Sequence, residues 1–142
     1  MEIEDIKINE SIKLINEKSI KLTADKFGET KEYIDYEFIL PWMALNQKNY
    51  DEYIQLNKFD QQFFLRHILR ENLKTISKGF NYEIKNIDGI KVDGHFIKKE
   101  IKFKEMTMLC FMGNFMINFY VPDYLGVGKQ VARGFGTVRK GE

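Results

Sequence analysis

From Met108 to Val121 the chain alternates apolar and mixed residues so regularly that an extended strand is the conformation it is written for. One parity holds Leu109, Phe111, Gly113, Phe115, Ile117, Phe119 and Val121. Successive strand side chains point to opposite faces, so this parity belongs in a core. The other parity, Met108, Cys110, Met112, Asn114, Met116, Asn118 and Tyr120, is mixed and meets solvent, a second domain or bases. Gly113 predicts a bulge or sharp bend. The apolar face needs a cover, and Phe64, Leu65, Ile68, Leu69, Leu73 and Ile76 supply one at helical spacing. That helix is expected to run from an Asp60 N-cap to Lys78, with Gly79 as its stop.

The rest of the chain predicts an α+β domain. Ser19–Thr23 and Tyr33–Leu40 read as strands, with a polar turn around Gly28 between them and Pro41 ending the second. Gln47–Leu56 reads as a short helix, Tyr82–Ile87 as a strand, and Gly89 as a turn. Ile90–Phe96 and Ile101–Phe103 read as shorter strand pieces. At 142 residues with 44% hydrophobic content, the chain can bury a core as a single domain without staples. The lone Cys110 excludes an internal disulfide and fits a reducing compartment. Without a signal-peptide pattern or a long apolar run, the expected location is the cytoplasm.

Beyond the long strand lies Val121-Pro122-Asp123-Tyr124-Leu125-Gly126-Val127-Gly128-Lys129-Gln130-Val131-Ala132-Arg133-Gly134-Phe135-Gly136-Thr137. Its centre reads G-x-G-K-x-x-x-R-G-x-G, with four glycines and two cations in eleven residues. Glycine lets backbone approach a ligand closely, and successive N–H groups form an anion-binding concavity. Lys129 adds a charge and Arg133 a bidentate fork for phosphate. A mononucleotide P-loop would need Ser or Thr where Gln130 stands. A dinucleotide fingerprint needs a following helix and a later acid, and only six residues follow Gly136. A phosphate-rich polymer suits the segment best, although a purely structural loop also uses glycines at its turns.

This segment resembles the C-terminal glycine-rich loop of the RAMP superfamily of CRISPR-associated proteins. Within it, the closest likeness is to the Cas six endoribonucleases, which cut precursor CRISPR RNA. Leu40-Pro41-Trp42-Met43-Ala44-Leu45-Asn46 followed by Asn49-Tyr50 is similar to that family's "PWLALN…NY" segment. Lys78-Gly79-Phe80 looks like the family's helix end, and Phe111 to Phe119 like the strand that delivers the loop. These pieces occur in the family's order, from residue 36 to residue 138. The resemblance implies a ferredoxin-like, RRM-type domain with helices on one face of an antiparallel sheet. Residues 1–32 would be an acidic connecting segment and first strand, and 33–138 the core and loop.

It further implies that CRISPR repeat RNA, or precursor CRISPR RNA, is the partner. Lys129 and Arg133 would contact phosphates, helped by N–H groups around Gly126, Gly128, Gly134 and Gly136. Family members cut RNA without metal or other cofactor, by attack of the 2′-OH on the adjacent phosphate. The catalytic histidine usually belongs to a first ferredoxin-like domain, which is expected to be missing here. A separate N-terminal ferredoxin-like domain or a homodimer partner would then complete the protein.

Other residues admit two readings each. Arg66, Arg70, Lys74 and Lys78 form an i, i+4 row opposite the apolar stripe, a phosphate-contact ridge or a solvated face. Lys98, Lys99, Lys102 and Lys104 fit a solvated strand edge, where lysines discourage aggregation. Trp42, Tyr50 and Tyr53 suit core packing better than base stacking. His67 and His95 are the only histidines; they lack the acidic and Cys partners of a metal site and read best as surface or structural residues. They are nonetheless the candidates for acid–base catalysis if the chain is a complete minimal ribonuclease. A third possibility is a non-catalytic structural subunit of a CRISPR effector complex. Charge favours RNA at the C-terminal end: residues 1–37 carry ten acids and six bases, and residues 98–142 four acids and eight bases.

Overall fold

A computed structural model describes residues 27–141. The elements are β1 (Gly28–Phe38), α1 (Gln47–Ile54), α2 (Lys58–Gly79), β2 (Val92–Phe103), β3 (Met106–Tyr120) and β4 (Val138–Lys140). Single 3-10 turns occupy Ile87–Gly89 and Val131–Arg133. The sheet order is β2-β3-β1-β4, with every neighbouring pair antiparallel. This is the ferredoxin-like α+β arrangement, with the glycine-rich segment in place of a helix between β3 and β4. The expected Ser19–Thr23 strand lies outside the described residues.

The alternation in β3 does what its pattern demands. Phe111, Phe115, Ile117 and Phe119 are buried with Tyr36, Phe38 and Phe96 beneath Leu65, Ile68, Leu69 and Leu73 of α2. The expected bulge at Gly113 is absent: Phe96 pairs with Gly113 in an unbroken register. Gly113 instead has φ +137, and a Cβ there would collide with the His95 carbonyl oxygen. The irregularity lies on β1, whose register against β3 shifts between Glu29 and Ile34.

Both ends of α2 differ from expectation. The N-cap is Asn57, whose side chain accepts from the Asp60 N–H at 2.8 Å. At the other end Asn81 takes φ +55. The Tyr82 N–H then donates to Ser77 O (2.8 Å) and the Asn81 N–H to Lys78 O (3.2 Å), a Schellman closure with asparagine in the glycine position. Gly79 is the last helical residue rather than the stop. Gly28 likewise opens β1, paired with Tyr120, instead of forming a turn.

The two short strand pieces expected around Gly94 and Ile101 are one strand, β2. It joins β3 through a two-residue turn, with Lys104 at φ +50 and Glu105 at φ +64. That is the geometry of a type I′ hairpin, normally announced by Asn-Gly.

Tyr82–Ile87 is not a strand. Its backbone is held by the carboxylate of Glu29, which accepts from the Lys85 N–H (2.8 Å), the Asn86 N–H (3.1 Å) and the Tyr82 hydroxyl (3.1 Å). Burial alone would raise the Glu29 pKa, but these donors outweigh it and hold the group below its ordinary 4.5. A depressed folded-state pKa stabilises above the unfolded value and is lost as pH falls through the folded one. Glu29→Gln should therefore cost about 1 kcal/mol at neutral pH, a modest figure because solvent screens the site. Thermal melts of variant and wild type should converge as the medium is acidified below the ordinary carboxylate range. A gap that persisted unchanged at low pH would assign the loss to shape rather than charge.

Candidate functional site

The glycine-rich segment is laced into the domain. Val127 N–H donates to Gly136 O (3.1 Å) and Val138 N–H to Leu125 O (3.0 Å), closing the segment on itself. Lys129 N–H donates to Met43 O (2.9 Å) and Gly136 N–H to Pro41 O (2.7 Å), fastening it to the Pro41–Met43 turn. Gly128, at φ +93, lies so close that a Cβ would sit 2.7 Å from Trp42 Nε1 and 2.8 Å from Met43 O. Phe135 is buried with Met43 and Cys110, covering one end of the mixed face of β3. The rest of that face leaves Asn114 and Met116 exposed.

This seating corrects one expectation about anion binding. The N–H groups of Gly134 and Gly136 are engaged by Val131 O and Pro41 O, so they do not face a ligand. The cations remain. Lys129 is exposed at a groove of ≈ 550 Å³, together with Asn46 and Tyr50 near α1 and with Glu100, Met106 and Thr107 of the hairpin. Tyr50 is 39% exposed, and so is available for stacking in this groove. Arg133 is exposed on the 3-10 turn, whose backbone closes through its N–H to Gln130 O at 3.0 Å.

The basic row of α2 is not a uniform ridge. Arg66 donates from Nε (3.3 Å) and Nη2 (2.9 Å) to Gly94 O, and its Nη2 also lies 3.3 Å from Asp93. Gln62 both donates to Phe96 O (2.9 Å) and accepts from the Phe96 N–H (2.8 Å). These two side chains occupy the outer edge of β2 in place of a fifth strand. Edge protection therefore comes from the helix as well as from lysines. Lys98 lies over the Tyr53 ring, 5.5 Å from its centroid. Lys74 pairs with Glu71 at 3.5 Å, while Lys78 is exposed.

Trp42 and Tyr53 are core residues, as expected, whereas Tyr50, expected to pack with them, is exposed because its side of α1 faces the groove. His67 lies on α2. His95 alternates with Phe96, which faces the helix side, so His95 projects to the opposite face of the sheet. The structure does not bring the two histidines to one phosphate. Burial pushes the Cys110 thiol up to about 11, which keeps it protonated and inert at neutral pH.

Sequence reasoning missed that Lys129, Tyr50 and the β2–β3 hairpin share a groove. No local signal carried it, because the meeting depends on the Lys129–Met43 backbone bond between segments far apart in the chain.

Residues 28–141 match the Cas6b C-terminal domain family. The chain belongs to that family. A curated relative, an uncharacterized protein of Methanocaldococcus jannaschii, is 36% identical over 121 residues, covering 83% of this chain and 80% of its own. Two solved structures are similar at 42% identity over 81% of this chain. One, described as the CRISPR RNA processing endoribonuclease Cas6b, superposes with TM-score 0.78; the other, described as Cas6b, gives 0.77. This chain spans 58% and 66% of their respective lengths. A CRISPR associated protein Cas6 at 18% identity and TM-score 0.50, matched over 79% of this chain and 50% of its own, shares the fold alone.

Proposed function

We propose that this chain is an RNA-binding domain of a CRISPR RNA processing endoribonuclease, holding repeat RNA against the Lys129 groove and the Arg133 turn. One observation carries the reading. In a fold shared at 42% identity with a CRISPR RNA processing endoribonuclease, Lys129 is fixed by its own backbone bond at the mouth of a groove that also presents Tyr50. A cation beside an exposed aromatic ring matches a phosphate beside a base, and stacking tolerates any base. Glu100 in the same groove tempers the charge and favours weak, salt-sensitive contact over tight electrostatic capture.

Cleavage in this reading draws on groups other than His67 and His95, which lie on opposite sides of the sheet. A histidine-bearing partner domain supplies the acid and base. The domain's own part is to hold the RNA while the 2′-OH attacks.

The test is fluorescence anisotropy with labelled CRISPR repeat RNA at two salt concentrations. Lys129→Ala/Arg133→Ala should weaken binding at least about ten-fold. With two phosphate contacts gone, the slope of log K against log salt should flatten by about 1.4. Equal affinity and slope in variant and wild type would remove the loop from the RNA-binding surface.

A further inference from the structure

Helix α2 carries a second surface that the loop does not use. Near its start Phe59 and Phe63 stand 71% and 54% exposed, with ring centroids 5.1 Å apart. Adjacent exposed phenylalanines form an apolar patch that calls for a partner. Beside them is a notch of ≈ 200 Å³, lined by Phe63, His67 and Arg70 from the helix and by Ile90, Lys91 and Val92 entering β2. Arg66 also lines it, but its guanidinium is already bonded to Gly94 and Asp93. Among the described residues, no carboxylate lines the notch.

One polar group there is left unsatisfied. Arg70 Nε is buried with no hydrogen-bond partner among the described residues. Its Nη2 lies 3.5 Å from His67 Nδ1. Lys91 is exposed, its backbone N–H held by Asn118 Oδ1 at 2.8 Å. The notch thus offers donors from Arg70 and Lys91 beside the Phe63 ring, over which the Arg66 guanidinium lies 5.3 Å from the centroid.

We propose that this notch takes a phosphodiester of single-stranded RNA between Arg70 and Lys91, with a neighbouring base stacked on Phe63. The proposal rests on the RNA-binding reading above and adds a second point of attachment. RNA is favoured because its phosphates supply acceptors and its bases supply planar faces, which together match cations set beside exposed rings. The notch sits at the Val92 end of β2 and the Lys129 groove at its Glu100 end, about 26 Å apart at ~3.3 Å per residue. One RNA strand spanning both points would be fixed in register across the domain.

The experiment uses the whole chain and a fluorescein-labelled CRISPR repeat RNA, titrated by anisotropy over a range of salt. Phe63→Ala should weaken binding about ten-fold with the salt slope unchanged, because stacking releases no counterions. Lys91→Gln, an exposed change that leaves the fold intact, should flatten the slope by about 0.7, the value for one single-strand phosphate contact. Arg70→Gln should flatten it to a similar extent, because both cations hold the same phosphodiester, with a thermal melt confirming that the variant is folded.

If the loop double variant loses RNA while Phe63→Ala and Lys91→Gln bind as wild type does, the notch assignment falls and the loop reading stands. If the wild-type chain binds no RNA even at low salt, the reading beneath it falls as well. If Phe63→Ala keeps full RNA affinity but dissociates an oligomer in light scattering, the patch is a protein interface and the proposal is overturned.

Discussion

Trp42→Ala is expected to lower the stability of the domain by about 3–5 kcal/mol, the range for removing a fully buried large aromatic. Trp42 has no exposed surface. Its ring stacks on Phe38 at 5.2 Å and 9°, and packs against Phe96 at 5.3 Å. Nε1 donates to Asn72 Oδ1 of α2 at 3.1 Å, and the Trp42 backbone pairs with Phe111. The residue therefore ties helix, sheet and turn together. It also supplies the surface against which Gly128 rests, so truncation should loosen the loop and weaken RNA binding in parallel. Trp42→Phe keeps most of the ring contacts while removing the bond to Asn72, and should cost less than half as much. Urea denaturation at constant m would measure both. A loss below about 1 kcal/mol for the alanine variant would contradict this account of the core.

The second large effect is at Gly136. Its φ of +75 is a conformation that L side chains rarely adopt, and an added Cβ would collide with the Val127 carbonyl oxygen. The obstruction is backbone, which no rotamer change relieves. Gly136→Ala should cost about 2–4 kcal/mol from strain and overpacking combined. Its N–H bond to Pro41 O would be disturbed with it, displacing the segment that carries Lys129 and Arg133. Gly79→Ala is the matched control. It ends α2 with nothing within 4 Å of an added Cβ, so alanine there should be neutral or slightly stabilising. Thermal melts of the pair isolate the backbone argument: equal losses would show that glycine itself is not what Gly136 provides.

Where physical pattern was strong, the sequence was readable. The period-two alternation of β3 and the apolar stripe of α2 fixed both elements and the faces they bury, because burial rewards one registry over every other. Trp42 beside Pro41 was legible as core, but Tyr50 and Tyr53 were read alike and only Tyr53 is buried. Element ends were less so. Asn57 caps α2 although Asp60 has an equally good capping side chain, and Asn81 closes it although Gly79 stands two residues earlier. Local propensity does not rank such neighbours.

Tyr82–Ile87 failed as a strand for a different reason. Tyr82 and Ile84 alternate with polar residues as in a strand, and both pack on the core together with Ile87. Its backbone N–H groups, however, find the Glu29 carboxylate rather than a neighbouring strand. Only the path of β1 decides which acceptor is in reach. The type I′ turn at Lys104-Glu105 was invisible for a similar reason, since the long β2–β3 ladder imposes left-handed backbone on residues that do not favour it.

By itself, then, the sequence determined the fold class, the faces of the main helix and long strand, and the cations of the glycine-rich segment. Those properties depend on residue type and spacing along one element. Tertiary structure alone decided what the glycines are for. Gly128 and Gly136 admit close packing against Trp42 and Val127, and the N–H groups of Gly134 and Gly136 bond to protein carbonyls. It also decided that Arg66 serves the edge of β2 while Lys129 reaches a groove beside Tyr50. A glycine or an arginine has the same local preferences in either role. Which role it takes is set by the acceptors and ring faces that distant segments bring within reach.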